Sequence, residues 1–334
     1  VKAFIVDRYG RGADALRAAE VPEPEVGERD VLVQIHAAGV NLLDAKIRNG
    51  EFKLFLPYRL PFVLGNDVAG VVVRVGSAVR RFTPGDEVYA RPDKGRIGTF
   101  AEFIAIDEDD LAPKPARLTM TEAASVPLVG LTAWQALVEM AGLRKGQKVF
   151  IQAGSGGVGT FAIQLAKHIG ATVATTTSAA NTGLVERLGA DVVIDYRRDD
   201  FEAVLHDYDV VLNSQDGETL QKSLRVLRPG GKLISISGPP DPGFAREIGK
   251  PWILRPATHV LSHRIRKAAQ RRQVSYSFLF MRANGDQLRE ITSLIDAGFI
   301  TPVVDRAFPF ESTKEALTYV EKGSAKGKVV VEVK

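Results

Sequence analysis

The stretch Lys148–Val–Phe–Ile–Gln–Ala–Gly154–Ser–Gly156–Gly157–Val158–Gly159 constrains the fold more than any other part of the chain. A short run of strand formers ends at a glycine loop, which opens at once into a helical pattern, Val158 to Ile169. Gly154, Gly156 and Gly159 fit the G-x-G-x-x-G spacing of a dinucleotide-binding turn. The first glycine permits the tight strand-to-helix turn, the second lets the backbone approach a pyrophosphate, and the third lets the helix pack closely on the sheet. The helix N-terminus offers unpaired N–H groups and partial positive charge to phosphates. Glycine turns are common, so context decides. A second apolar strand, Ala171 to Thr175, gives Lys148–Thr177 the length of one βαβ unit.

The end of that second strand selects the cofactor. An NAD site places Asp or Glu there to accept from the ribose 2′-hydroxyl. This chain reads Thr175–Thr176–Thr177–Ser178–Ala179–Ala180–Asn181, with no carboxylate to repel a 2′-phosphate and with hydroxyl and amide groups able to donate to one. NADP(H) is favoured, although the run holds no Arg or Lys. Ser178 and Asn181 are also good helix caps, and the two roles can coexist.

Composition narrows the alternatives. With 334 residues, 45% apolar and 25% charged, the chain is long enough for two domains and ordinary for a globular protein. The net charge of +4 is scattered. Its densest cluster, Arg264 to Arg272, sits in a helical pattern and reads as a solvated face rather than a nucleic-acid surface. No long apolar run or charged-then-apolar leader is visible, so neither nucleic acid nor membrane is an expected partner, and the cytoplasm is the expected compartment. The absence of cysteine excludes disulfides, cysteine zinc sites and a cysteine nucleophile. His36, His168, His206, His259 and His263 form no ligand motif; His259 and His263 are spaced i, i+4 without the glutamate of H-E-x-x-H. No G-x-S-x-G elbow supports a serine triad.

Residues 1–120 read mainly as β, with strands expected at Lys2–Val6, Val31–Ala38, Val68–Val75, Glu87–Ala90 and Ala101–Ile106. Pro113 and Pro115 mark a linker, and helices are expected at Met120–Ala124 and Thr132–Ala141. From Lys148 the pattern alternates. Strands are expected at 148–153, 171–176, 191–194, 209–213, 231–237 and 274–280, and helices at 157–169, 181–188, 199–206, 217–227 and 257–270. This is the pattern of a doubly wound parallel sheet. Helices at Asp286–Ala297 and Ser312–Lys322 and a strand at Lys328–Val333 close the chain, and the last strand is expected to return to the first domain. The Pro/Gly-rich segment from Gly238 to Trp252 reads as a substrate-side loop or lid, or as an inert surface loop, with Phe244 and Trp252 exposed.

Six ordered motifs carry a resemblance: Gly39–Val–Asn41–Leu–Leu–Asp44–Ala–Lys46, Leu64–Gly–Asn–Asp67–Val–Ala–Gly70, Pro84–Gly–Asp–Glu–Val88, Gly130–Leu–Thr132–Ala–Trp–Gln–Ala136, the glycine loop, and Gly189–Ala–Asp191. Together they resemble the medium-chain dehydrogenase/reductase superfamily over essentially the whole chain. The branch they look like is the zinc-independent quinone oxidoreductases and 2-alkenal (enone) reductases. Zinc-dependent members carry Cys where this chain has Asn41 and His–Glu where it has Asn66–Asp67.

The resemblance implies an α/β protein with a GroES-like β-rich catalytic domain, 1–124 with 282–334, and a Rossmann NADP(H)-binding domain, 125–281. It implies an active site in the cleft and, commonly, a homodimer. It places Ser155, Gly156, Gly157 and Val158 at the pyrophosphate, Ser178 and Asn181 at the 2′-phosphate, and Tyr196 at the adenosine phosphate with Arg197 and Arg198 beside it. It gives Thr132 a cofactor contact, sets Ser237, Gly238, Phe278 and Phe280 beside the nicotinamide, and brings Lys326, in Lys326–Gly–Lys328, to the cofactor. Asn41 and Lys46 are the expected catalytic residues and also cofactor contacts, Lys46 touching substrate oxygen and cofactor ribose. The expected activity is NADPH-dependent reduction of small apolar quinones or enones. The alternatives are an NADPH-binding sensor with little turnover and a stand-alone enoyl-thioester reductase.

Overall fold

The computed structural model describes the chain apart from residues 54–55, 216 and 248–250, and its side chains apart also from those of residues 13, 246–247 and 251–255. The chain divides into two compact units, residues 1–131 with 282–334 and residues 132–281. The strands in chain order are β1 (Lys2–Val6), β2 (Arg17–Glu20), β3 (Asp30–Val40), β4 (Phe62–Val63), β5 (Val68–Val75), β6 (Glu87–Ala90), β7 (Phe103–Asp107), β8 (Leu111–Pro113), β9 (Lys148–Ile151), β10 (Thr172–Thr177), β11 (Val192–Asp195), β12 (Tyr208–Asn213), β13 (Leu227–Ser235), β14 (Ser275–Phe278), β15 (Val304–Pro309) and β16 (Lys328–Glu332).

The first unit is β-rich, as its alternating runs require. One sheet runs β15-β16-β3-β5-β6-β8, with β7 also paired to β3; a second runs β2-β1-β4. Val31, Val33, Ile35, Val68, Val72 and Val88 fill one core. The final strand does return. β16 pairs antiparallel with β3, Val329 opposite Val40 and Val331 opposite Ala38. That pairing brings the chain's last residues against the end of β3, where Asn41 begins the helix Leu42–Asn49.

The second unit is a parallel sheet in the order β11-β10-β9-β12-β13-β14. Successive connections run outward one way from β9 and then the other way from β12, so the strand order reverses between them. Ligands bind at the carboxyl ends of strands at such a switch point. Val149, Phe150 and Ile151 are fully buried, which explains why β9 reads as a continuous apolar run rather than an alternating one.

Several expectations need correction. Pro113 is not in a linker: it ends β8, opposite Val88, on the edge of the sheet where a missing N–H is tolerated. The helix expected from Thr132 starts earlier, at Pro127, and passes into a π-helical turn at Gln135–Met140. The segment after Gly238 is not all loop. Pro242–Glu247 is helical, and the Asp241 carboxylate accepts from the amides of Gly243 (2.8 Å) and Phe244 (3.1 Å). Asp followed by Pro is a helix start within what the Pro/Gly content marks as loop. Phe244 is accordingly buried, its ring 5.4 Å from that of Phe278 and 5.5 Å from that of Phe280. Trp252 is the second residue of the long helix Pro251–Arg271, but its side chain lies outside the described residues. β14 stops at Phe278, so Phe280 lies beyond the strand.

Candidate functional sites of the two units

In the second unit, β9 leads into the glycine loop and the helix Gly157–Ile169, with Gly156 as N-cap. The Thr160 amide makes the first helical bond, to the Gly156 carbonyl at 2.9 Å. The amides of Gly157, Val158 and Gly159 precede it and have no acceptor in the helical ladder. Two glycines are imposed by the fold. A Cβ on Gly154 would meet Thr175, with Cγ2 at 2.9 Å, and one on Gly159 would run into the Ala153 carbonyl and lie 2.7 Å from the Gly154 Cα. Gly156 differs: its φ is −82° and a Cβ would meet only the Ala153 carbonyl oxygen, at 3.3 Å.

The corner after β10 is polar and carries no carboxylate. Thr177 Oγ1 donates to Ser155 Oγ at 2.9 Å, and Asn181 Nδ2 lies 3.3 Å from both Ser155 Oγ and Ser178 Oγ. The structure therefore draws Ser155, Ser178 and Asn181 together. Tyr196 is 58% exposed after β11, with the Arg197 guanidinium 5.8 Å from its ring centroid. Arg197 and Arg198 are exposed. Thr132 is buried.

At the ends of β12 and β13 a buried chain escaped the sequence reading. Gln152 Nε2 donates to Ser223 Oγ (2.6 Å), Asn213 Nδ2 to Gln152 Oε1 (2.7 Å), and Ser235 Oγ to Asn213 Oδ1 (2.7 Å). Ser235 Oγ in turn accepts from the Gly238 amide at 2.8 Å, which fixes the Ser237–Gly238 turn. Three buried polar atoms here have no partner: Asn181 Oδ1, Ser214 Oγ and Ser237 Oγ. Buried polar groups are normally satisfied. Orphan groups at strand carboxyl ends, together with free helix-terminal amides, are the donor and acceptor set that a dinucleotide would complete.

The first unit holds a buried ionic cluster. Lys328, 5% exposed at the start of β16, donates to the Asn41 side-chain oxygen and lies 3.1 Å from Asp67 Oδ2. Asn41 Nδ2 donates to the same Asp67 oxygen at 2.9 Å, and Asp67 Oδ1 accepts from the Leu128 amide at 2.7 Å. Asp44 accepts from the Asn41 amide (2.7 Å) and from Asn66 Nδ2 (2.6 Å). Asn41 is thus turned inward at both ends of its amide. Lys46, on the next turn of the helix, is half-buried with no recorded side-chain partner among the described residues. Arg48 anchors that helix through a bidentate pair with Glu321, at 2.6 and 3.1 Å. Lys326 is exposed; the adjacent Lys328 is the lysine drawn into the cluster.

Burial pushes the Asp44 carboxyl up to about 7, with the Asp67 charge adding to it, against the pull of its hydrogen bonds and of Lys328. Between the ordinary value of 3.8 and about 7 the folded state holds this proton more tightly than the unfolded chain. Its contribution to stability is therefore full below 3.8 and is lost as pH rises through 7. Asp44→Asn should flatten that slope, since Asn66 Oδ1, buried without a partner, can turn to accept from the new amide. Melting temperature against pH checks this; an unchanged slope in Asp44→Asn would assign it to another group.

A model described as the alcohol dehydrogenase GroES-like domain matches residues 27–116, and one described as zinc-binding dehydrogenase matches residues 188–331. The chain is 35% identical to the mouse mitochondrial NAD(P)H oxidoreductase RTN4IP1 over 99% of its own length and 89% of that protein's. It is 36% identical to the Arabidopsis thaliana chloroplastic NADPH-dependent alkenal/one oxidoreductase, over 99% of this chain and 79% of the relative. The quinone oxidoreductase structure from Coxiella burnetii superposes with a TM-score of 0.87 at 30% identity, covering 100% and 99% of the two chains. This chain belongs to the medium-chain dehydrogenase/reductase superfamily. Within the superfamily its donor set does not fit zinc. Amides and a carboxylate stand where the zinc-dependent members carry Cys and His–Glu, and the Lys328 ammonium already neutralises Asp67. Among the described residues no group of three or more His, Asp or Glu could hold a metal ion, and Arg266 Nη1 sits 3.2 Å from His259 Nδ1 in the histidine pair. No helix among them is long and apolar enough to cross a membrane.

Proposed function

We propose that the protein is a zinc-independent reductase that uses NADPH to reduce quinones or the activated C=C bond of α,β-unsaturated carbonyls. One observation carries the reading: a dinucleotide loop whose 2′-phosphate corner lacks a carboxylate accompanies a catalytic unit whose metal position is taken by an ion pair. When bound, NADPH supplies the hydride. In an enone the hydride forms a bond to the β-carbon, the C=C pair shifts to the α-carbon and carbonyl, and negative charge collects on the carbonyl oxygen. A proton from solvent then completes the α-carbon. In a quinone both oxygens end protonated.

The chain's own residues bind, orient and neutralise. Amides of Gly157 and Val158, with Ser155, hold the pyrophosphate; Ser178 and Asn181 face the 2′-phosphate; Tyr196 with Arg197 and Arg198 lies along the adenosine side. Thr132 and Lys326 contact the cofactor, while Ser237, Gly238, Phe278 and Phe280 border the nicotinamide. Lys46, without a competing partner, donates to the substrate oxygen and the ribose. Asn41 shapes the site from the N-cap of that helix, held by Asp67 and Lys328. A homodimer and a cytoplasmic location belong to the same reading, tested by sedimentation and by fractionation.

The test is NADPH oxidation with a simple quinone, a 2-alkenal, an aryl enone and an enoyl thioester, each repeated with NADH. Turnover of quinone or enone is expected, with kcat/KM for NADPH at least about tenfold above NADH, since one tenfold step corresponds to about 1.4 kcal/mol at the phosphate corner. Saturable NADPH binding with no turnover of any acceptor would overturn the enzyme reading in favour of a sensor.

A further inference from the structure

Arg91 is unused by this account and is poorly satisfied by the protein. It follows β6 by one residue, past the rung pairing Val68 with Ala90, and so comes alongside Asp67. It is 2% exposed. Among the described residues its guanidinium makes one hydrogen bond, Nη1 to the Pro92 carbonyl at 2.7 Å, and no ion pair, while Nε is buried without an acceptor. Burial weighs against its charge, and Tyr58, Asp93, Asp67 and Asp110 favour it without pairing with it. Each of those carboxylates is engaged elsewhere: Asp93 with the Gly95 amide, Asp110 with the Asp93 amide, Asp67 with Lys328. Two more buried polar atoms without partners lie on or against Gly65–Asp67, the stretch that leads into the opposite strand. They are Asn66 Oδ1 and the Thr99 hydroxyl, which packs against Gly65.

A buried guanidinium without a carboxylate is costly. The edge left open, Nε, is part of the planar fork that grips paired oxygens. We propose that Arg91 binds an anionic oxygen of the acceptor, either a carboxylate that the acceptor carries or the oxygen on which charge collects as hydride arrives. This rests on the reductase reading above and extends it to substrate class: acceptors with an anionic oxygen beside the conjugated system are preferred.

The experiment compares wild type, Arg91→Met and Arg91→Lys. Kinetics use an aryl enone and the same enone bearing a carboxylate, and heat stabilisation by benzoate provides a readout without turnover. Arg91→Met is expected to melt at or above the wild-type temperature, because it removes a buried charge that lacks a partner. A carboxylate anchor predicts that KM for the charged enone rises about tenfold or more, with the neutral enone spared and benzoate stabilisation lost. An enolate contact predicts that kcat falls about 100-fold for both enones. Partial recovery in Arg91→Lys supports either. Unchanged kinetics with an unchanged benzoate response overturns the proposal, as does a loss of activity that tracks a lowered melting temperature. Should wild type reduce no acceptor, the benzoate arm still tests Arg91; should Arg91→Met reduce both enones normally, the reductase reading stands without it.

Discussion

Lys328→Met is expected to cost about 3–5 kcal/mol of folding stability, the usual penalty for stranding one partner of a buried ion pair. Asp67 is fully buried and the described residues offer no other cation at ion-pair distance. Methionine retains much of the apolar stem but gives neither the carboxylate nor the Asn41 oxygen a donor. The double variant Lys328→Met/Asp67→Asn removes both charges and should recover a large share of the loss, because a neutral buried pair has no uncompensated charge to desolvate. Chemical denaturation of wild type, Lys328→Met, Asp67→Asn and the double variant closes the cycle. A loss under about 1 kcal/mol, or strict additivity, would show that water or a neighbouring group already screens Asp67. Lys328→Met should also impair reduction, since Asn41 then loses one of the two side chains that fix its orientation ahead of the Lys46 helix.

That cluster also marks where sequence reading stopped. The glycine loop and the alternating second half were legible because β9 and its helix announce themselves within a dozen residues. Strand order needed only the rule that parallel connections wind outward from a switch point. Lys328 and Asp67 are 261 residues apart in the chain, and no local period links them. The signal lay in the aspartate itself: a carboxylate at the head of the apolar strand Val68–Val75 demands a cation, and Lys–Gly–Lys near the chain's end could supply it. Reading that segment as a cofactor contact placed the interest on Lys326, which is exposed, rather than on Lys328. Asn41 stands out by the residue it replaces, but its inward commitment depends on β16 returning to β3. Arg91 gave no warning beyond a charge following an apolar strand. The short strands β2, β4, β8 and β15 were missed for a related reason: most run for few residues, and their partners supply the order that their own patterns lack.

The second large effect separates a glycine kept for the fold from one kept for a ligand. Gly159→Ala should lose about 1–3 kcal/mol of stability, as overpacking usually does. The added carbon would press on the Ala153 carbonyl and on the Gly154 Cα and carbonyl carbon, at 2.7 and 2.9 Å, and these are backbone atoms that cannot rotate aside. Gly156→Ala should fold within about 0.5 kcal/mol of wild type, since its backbone is in a region open to any residue and its one close neighbour is 3.3 Å away. Among the described residues nothing requires glycine there; on the dinucleotide reading the reason comes from outside, because a methyl at the helix N-cap would stand where a pyrophosphate approaches the amides. NADPH affinity of Gly156→Ala should fall at least about tenfold, and the melting-temperature rise that NADPH gives wild type should shrink with it. Thermal unfolding with and without NADPH, beside a fluorescence titration, measures both quantities on each variant. If Gly156→Ala binds NADPH as tightly as wild type, the phosphates do not pass over this turn, and the dinucleotide reading of the second unit fails at its strongest point.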